Sequence, residues 1–389
     1  GMDPKAGTKE RVGMAYKALP EDVNRGDTLL LDDGRIVLWV DRVEGNEVHC
    51  RVVVGGELSD RKGLNRQGGG LSAPALTQKD REDIKAAAEM QADYLAVSFP
   101  RTADDIDEAR RLIQEAGGYA DIVAKIERAD ALDNAESLIE ASDAIMVARG
   151  DLGVEIGDAA LPPVQKRLIQ QARSLNRVVI TATQMMESMI QNQLPTRAEV
   201  FDVANAVLDG TDAVMLSAET ATGKYPDKAI AAMDRICVEA EKQQIAMKSD
   251  HRINTEFKSI DEAIAMASMY TANHLGAKAI AALTESGATT LWMSRISSGI
   301  PIYALTSHVE TRRKVTLYRG VYPVSFEQLT KDHAEINKEA VDELLRRGTV
   351  RDGDLVIITK GDLMGVMGGT NAMKIVRVGE LDHIINSEG

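Results

Sequence analysis

Cysteine is almost missing from this chain: Cys50 and Cys237 are the only ones in 389 residues. That scarcity excludes a disulfide framework and leads us to expect a reducing cytoplasm. Long apolar runs are missing as well, so no segment reads as a membrane-spanning helix, and no signal peptide is visible. Basic charge is in deficit, with 46 Lys and Arg against 60 Asp and Glu and a net charge of −14. Nucleic acid and anionic membranes both require a basic face, so neither is expected as a partner. A phosphorylated substrate stays open, because local lysine, Mg²⁺ and helix N-termini bind phosphate inside an acidic protein. Walker and Rossmann fingerprints are absent, and none of the 6 histidines falls on the strand ends discussed below. Histidine acid–base chemistry and a zinc site are therefore not expected. The opening Gly1-Met2 resembles the scar of a cleaved tag.

What is present is a soluble globular composition, 44% apolar and 27% charged, in a chain too long for one ordinary core. Residues 1–70 read as a small antiparallel β module, with Asp33-Gly34 and Gly45-Asn46 as hairpin turns between β-rich runs. Gly68-Gly69-Gly70 then reads as a flexible joint and hinge. Residues 71–245 hold five short apolar runs: Tyr94 to Pro100, Asp121 to Arg128, Ala144 to Asp151, Val178 to Met185 and Ala213 to Thr220. One helix fits between each pair, as in Asp104 to Ala116 and Pro163 to Ser174, so the beat is that of parallel βαβ units. Each run ends in polar residues, which marks the active-site rim of a (β/α) barrel, although a full barrel needs eight such units. Residues 246–389 carry strand candidates at Ala279 to Thr284, Pro301 to Thr306, Val321 to Ser325, Asp354 to Thr359 and Met373 to Val378, a further α/β domain of open-sheet type.

The strand ends carry the chemistry. Lys125 and Glu127 alternate with Ile126 on one strand and so face the same way. Asp151 is expected to end the next strand beside Glu127, and converging carboxylates suit Mg²⁺. An ordinary Lys–Glu ion pair with a separate solvated Asp is the plainer alternative. Gly150 and Gly153 admit close backbone approach to a ligand, or simply permit a turn. Thr183 offers a hydroxyl on the following strand end, and Met185, Met186 and Met189 read as core. Ser217, Glu219 and Thr220 are expected to end the last strand, Glu219 orienting its neighbours. In the last domain, Thr284, Ser286, Gly287 and Thr289 lie between a strand and a helix, as a phosphate cradle or a plain capped helix start.

Taken together, Ala124-Lys-Ile-Glu-Arg128, Met146 to Ile156, Thr181 to Met189, Pro195-Thr-Arg-Ala-Glu199 and Asp209 to Thr220 resemble the pyruvate kinase family, in order and at its intervals. The resemblance covers essentially the whole chain and is strongest to bacterial enzymes controlled by AMP or sugar monophosphates. It implies a TIM-barrel fold with an inserted β lid and a C-terminal α/β regulatory domain. The implied reaction is phosphoryl transfer from phosphoenolpyruvate to ADP, giving pyruvate and ATP in glycolysis. By resemblance Lys125 stabilises the phosphoryl group and the enolate oxygen, and Glu127 and Asp151 hold Mg²⁺, or Mn²⁺. Gly150, Asp151 and Thr183 bind the substrate carboxylate, with Thr183 also near the route that protonates carbon. Ser98 lies on the same rim, and Lys62 of the lid contacts nucleotide. The effector site implied at Thr284, Ser286, Gly287 and Thr289 faces an acid, Glu285, which disfavours a second phosphate and favours a monophosphate. A homotetramer is also implied.

The resemblance further implies barrel strands ahead of the lid, carrying a phosphoryl-gripping arginine and the K⁺ ligands. Those residues do not occur in this chain, which is expected to hold only strands four to eight of the eight. An open barrel of that kind is expected to be inactive and poorly soluble by itself. Two other readings compete: a Mg²⁺-dependent aldolase or lyase of the pyruvate/phosphoenolpyruvate class, and a catalytically dead effector-binding protein.

Overall fold

Two tight turns organise the N-terminal module. In the computed structural model, which describes residues 7–243, 247, 252, 254–327, 332–362 and 369–380, β1 (Thr28–Leu31) and β2 (Ile36–Glu44) pair antiparallel with Leu31 opposite Ile36. Asp32, Asp33 and Gly34 close that hairpin with φ of 51°, 56° and 80°, conformations that Asp and Gly reach most cheaply. Gly45 at φ 56° turns β2 into β3 (Glu47–Val54), and β4 (Leu64–Arg66) joins the other side of β1, giving the order β3-β2-β1-β4. Leu29 and Val40 meet Leu19 and Val23 beneath this sheet as a small core of their own. Both hairpins fall where the sequence places them.

The chain divides into two compact units, residues 1–184 and 185–389. Beyond its β module, the first unit contains β5 (Tyr94–Val97), β6 (Asp121–Ile126), β7 (Ala144–Ala148) and β8 (Val178–Ala182), each parallel to the next. β7 and β8 are buried along their whole length, as their unbroken apolar sequence requires of a sheet covered on both faces. Helices Ala103–Glu115 and Leu161–Ser174 lie within a residue or two of their expected bounds. Thr77 and Thr102 start their helices with capping boxes, which satisfy N–H groups that the helix itself leaves unpaired. Ile106, Ile113, Ile122, Ile126, Leu138 and Ile145 knit helices and strands into one core.

Gly68-Gly69-Gly70 is not the slack joint the composition suggests. All three residues have positive φ, and each N–H has a backbone or side-chain partner: Glu155 O at 2.9 Å, Arg66 O at 3.0 Å and Asp130 Oδ1 at 3.0 Å. A Cβ on Gly69 would sit 2.0 Å from Asp130 Oδ1. Gly69→Ala is therefore expected to cost about 1–3 kcal/mol from forced backbone strain and displacement of Asp130. A urea unfolding midpoint equal to that of the parent protein would show the run to be slack after all.

The second unit opens on Met185, Met186 and Met189, fully buried against Val203, Ala206, Ala229 and Ala232. Helix Arg197–Asp209 carries these contacts and stops at Gly210, whose φ of 98° suits only glycine. After β9 (Ala213–Met215), Ser217 caps a short helix, Ala218–Ala221, so Ser217, Glu219 and Thr220 lie beyond the strand and not on it. The five C-terminal strand candidates all form: β10 (Ala279–Leu283), β11 (Ile302–Thr306), β12 (Val321–Ser325), β13 (Leu355–Lys360) and β14 (Ala372–Arg377). Their order is β12-β11-β10-β13-β14, with β14 antiparallel to β13 at the edge of an otherwise parallel sheet. In this unit Asp212 is buried between two arginines. Arg295 donates a charged hydrogen bond to it, and the Arg319 backbone N–H bonds it at 3.0 Å. No described helix is long and apolar enough to cross a membrane.

Candidate active site

Ordinary strand geometry creates the centre of the site. Lys125 and Glu127 emerge on the same side at the end of β6 while Ile126 turns into the core. Lys125 Nζ sits 2.7 Å from Glu127 Oε1 and donates to Ser98 Oγ at 3.0 Å. The second oxygen of Glu127 accepts the Phe99 N–H at 2.9 Å. Phe99 holds φ at 56°, a conformation a bulky residue adopts only when its surroundings enforce it. Glu127 is 2% exposed, and burial pushes its carboxyl above the usual range despite the Lys125 ammonium beside it.

Asp151 is not on a strand. β7 ends at Ala148, and Arg149–Ile156 forms a helix with Asp151 in its first turn. The backbone N–H groups around Gly150 are consequently helix-start donors, which is the arrangement an anion needs. From that helix, and not from the adjacent strand expected of it, Asp151 interacts electrostatically with Lys125 and Glu127. Its own carboxyl is raised by burial and by the nearby Asp33 of the β1–β2 hairpin.

Thr183 follows β8 with φ of 67°, and Gln184 follows with 53°. The buried Arg149 guanidinium holds that strained pair by donating to Thr183 O at 3.0 Å and Gln184 O at 3.1 Å. Thr183 Oγ1 accepts the Gly150 N–H at 2.7 Å, which joins the expected carboxylate-binding residues directly.

Lys125, Glu127, Ser98 and Asp151 thus gather in one place, with Gly150 and Thr183 bonded to each other beside Asp151. Lys62 pairs with Asp32 at 2.8 Å, holding that carboxyl below its usual range. The sequence reading missed Asn65 and Glu155. Glu155 follows Asp151 by one helical turn and is almost fully buried, with Asn65 Nδ2 donating to it at 3.4 Å. Glu219 behaves as expected in the second unit, orienting backbone through the N–H groups of Met186 and Ser217.

A family profile described as the pyruvate kinase barrel domain matches residues 2–230, and one described as the pyruvate kinase alpha/beta domain matches 262–376. The chain belongs to the pyruvate kinase family. It is 57% identical to a pyruvate kinase of Buchnera aphidicola from Schizaphis graminum, over 97% of this chain and 79% of that protein. Identity to pyruvate kinase II of Salmonella typhimurium is 57%, over 96% and 78% of the two chains, and to a pyruvate kinase of Haemophilus influenzae 56%, over 91% and 75%. Pyruvate kinase activity is transfer of a phosphoryl group from phosphoenolpyruvate to ADP, which sets aside the aldolase and the inert effector-binding readings.

The C-terminal loop after β10 is self-contained. Thr284 Oγ1 accepts the Gly287 N–H at 2.9 Å, Ser286 Oγ accepts the Ala288 N–H at 3.4 Å, and buried Thr289 bonds Thr370 at 2.8 Å. Glu285 pairs with His308 at 2.6 Å.

Proposed function

We propose that Lys125, Glu127, Asp151 and Thr183 are the working residues of this pyruvate kinase, with Ser98 and Gly150 completing the substrate site. The observation that carries this reading is an excess of buried negative charge around one lysine. Glu127 and Asp151 both have carboxyls lifted by burial, both interact with Lys125, and Lys125 is the cation that touches Glu127. Hard oxygen donors with uncompensated charge fit Mg²⁺, and Glu127 and Asp151 would hold it. Bound there, the ion supplies charge neutralisation to the transferring phosphoryl group. Lys125 meets the same developing charge from the protein side and then the enolate oxygen, while the substrate carboxylate is taken by the Asp151 N–H and by the Gly150 N–H once it leaves Thr183 Oγ1, which it holds at 2.7 Å in this structure. Thr183 lies on the path by which a proton reaches the enolpyruvate carbon.

Metal binding should be readable from stability. A carboxyl raised in the folded state contributes stability that is full below its unfolded value and lost as pH rises through its folded value. The contribution of Glu127 and Asp151 to the stability of the metal-free protein should therefore fall as pH climbs through the carboxylate range, and Mg²⁺ should offset that fall. At about 100 times Kd the gain is about 2.7 kcal/mol. Glu127→Gln and Asp151→Asn should abolish the Mg²⁺-dependent rise in Tm without lowering the metal-free Tm. A rise in Tm that persists in both variants would remove these residues from the metal site.

The remaining assignments extend the same reading. Residues 1–70 serve as lid with Lys62 contacting nucleotide, 71–245 as barrel units, and 246–389 as regulatory domain. Thr284, Ser286, Gly287 and Thr289 take a sugar monophosphate or AMP, a preference supported by Glu285 beside them, whose charge opposes a second phosphate. Calorimetry with ribose 5-phosphate, AMP and fructose bisphosphate tests this, and equal affinity for the bisphosphate would overturn it. A cytoplasmic homotetramer completes the reading.

A further inference from the structure

We propose that Arg149 is a positioning residue whose guanidinium, backed by Gln165, keeps the Thr183 hydroxyl in place while the substrate carboxylate comes and goes. The proposal rests on Thr183 belonging to the substrate site. Thr183 and Gln184 lie side by side in the left-handed region, with φ of 67° and 53°. Two such residues in succession persist only where their surroundings impose it. Arg149 imposes it through three bonds. Its Nη2 donates to Thr183 O at 3.0 Å and to Gln184 O at 3.1 Å, and its Nε donates to Thr183 O at 3.2 Å. A planar fork of N–H groups suits two successive carbonyls, where an ammonium is a single point of charge. Gln165, on helix Leu161–Ser174, accepts from Arg149 Nη1 at 3.3 Å and so fixes the plane of the fork. Both side chains are buried, which leaves little water to stand in for either.

The chain grips this turn a second time one residue later, where the Gly150 N–H donates to Thr183 Oγ1 at 2.7 Å. Substrate treats the two grips differently. A carboxylate can only accept hydrogen bonds, so it competes for the Gly150 N–H and offers nothing to the carbonyls that Arg149 holds. Binding therefore breaks one grip and spares the other. Without the guanidinium, the turn would be released at the moment the carboxylate arrives. The Thr183 hydroxyl would then leave its place before the proton has to reach the enolpyruvate carbon, a transfer that needs hydrogen-bond reach.

The test uses the full chain with Mg²⁺ and ATP, and pyruvate as the probe. Run backwards, the protonation route takes a methyl proton from pyruvate, whose C–H pair becomes the enolate double bond. In D₂O that exchange is counted by NMR, and ATP formed from phosphoenolpyruvate and ADP in a single turnover reads phosphoryl transfer separately. Arg149→Lys keeps the charge but loses the fork, and should slow methyl exchange by about 10²-fold, with a clearly smaller effect on transfer. Partial unfolding would lower both rates alike, so their ratio isolates positioning. Amide hydrogen exchange at Gly150 should also quicken, a readout that needs no turnover. Gln165→Leu should move the ratio the same way to a lesser extent, and decides the matter if Arg149→Lys does not fold. Thr183→Val separates the two readings. If it leaves the ratio unchanged, the placing of Thr183 in the site is wrong. If it lowers the ratio while the Arg149 or Gln165 variant matches the parent in both ratio and Gly150 exchange, Thr183 stands and the role of Arg149 is refuted.

Discussion

Replacing Lys125 by Met should lower the rate of phosphoryl transfer by about 10³-fold or more, with a far smaller change in Mg²⁺ affinity. The expected size follows from what a fixed charge contributes when it faces charge that develops only at the transition state. Removing one such donor typically costs about 10²–10³ in rate, and removing a full cation from a phosphoryl-transfer site about 10³–10⁵. Lys125 is well placed for this role: it is one-quarter exposed, anchored by Glu127 at 2.7 Å and Ser98 at 3.0 Å, and its position cannot drift far from the carboxylate pair. On the proposed assignment the loss should appear mainly in kcat, because the metal and the remaining site residues would still hold the substrate in its ground state. Lys125→Arg should rescue little, since a planar guanidinium cannot reproduce a compact ammonium at this spot. A Met variant within tenfold of the parent enzyme would show that Lys125 is only a structural partner of Glu127.

The largest stability effect is expected at Asp212. Its carboxylate and the Arg295 side chain are each 1% exposed, so neither has water to fall back on. Arg319 adds its backbone N–H to Asp212 and places its guanidinium on Val207 O at 2.6 Å, at the end of helix Arg197–Asp209. Asp212→Ala removes a buried carboxylate that Arg295 and the Arg319 N–H both bond and should cost about 3–5 kcal/mol, seen as a matching drop in the unfolding free energy. The double replacement Asp212→Leu with Arg295→Met removes both charges and should recover most of that loss, because a buried pair is worth little more than apolar groups of its size. Equal losses in the single and double variants would mean that the helix end, through Arg319, is what fails.

Sequence patterning foretold the elements well where local physics dominates. The Asp-Gly and Gly-Asn turns, the period of helix Ala103–Glu115 and the alternation that aims Lys125 and Glu127 together need no distant partner. Arg149–Ile156 was illegible for a local reason: Gly150 and Gly153 weigh against a helix, yet Thr183 receives the Gly150 N–H and the chain closes into one. Asn65 and Glu155 stand 90 residues apart, and nothing near either foretells a buried contact between two polar side chains. The triple-glycine run misled in the opposite sense, since composition suggested freedom where neighbouring carboxylate and carbonyl groups impose order.

The hydroxyl of Thr183 is already spoken for in two directions. Besides receiving the Gly150 N–H, it donates its own hydrogen to Ala182 O at 2.7 Å. A hydroxyl has one hydrogen and two lone pairs, so a single lone pair remains for a newcomer. In this rotamer Thr183 can welcome a donor but has nothing to hand over. For it to deliver a proton, χ1 must turn or the bond to Ala182 must lengthen. A water resting on that last lone pair is the simpler courier.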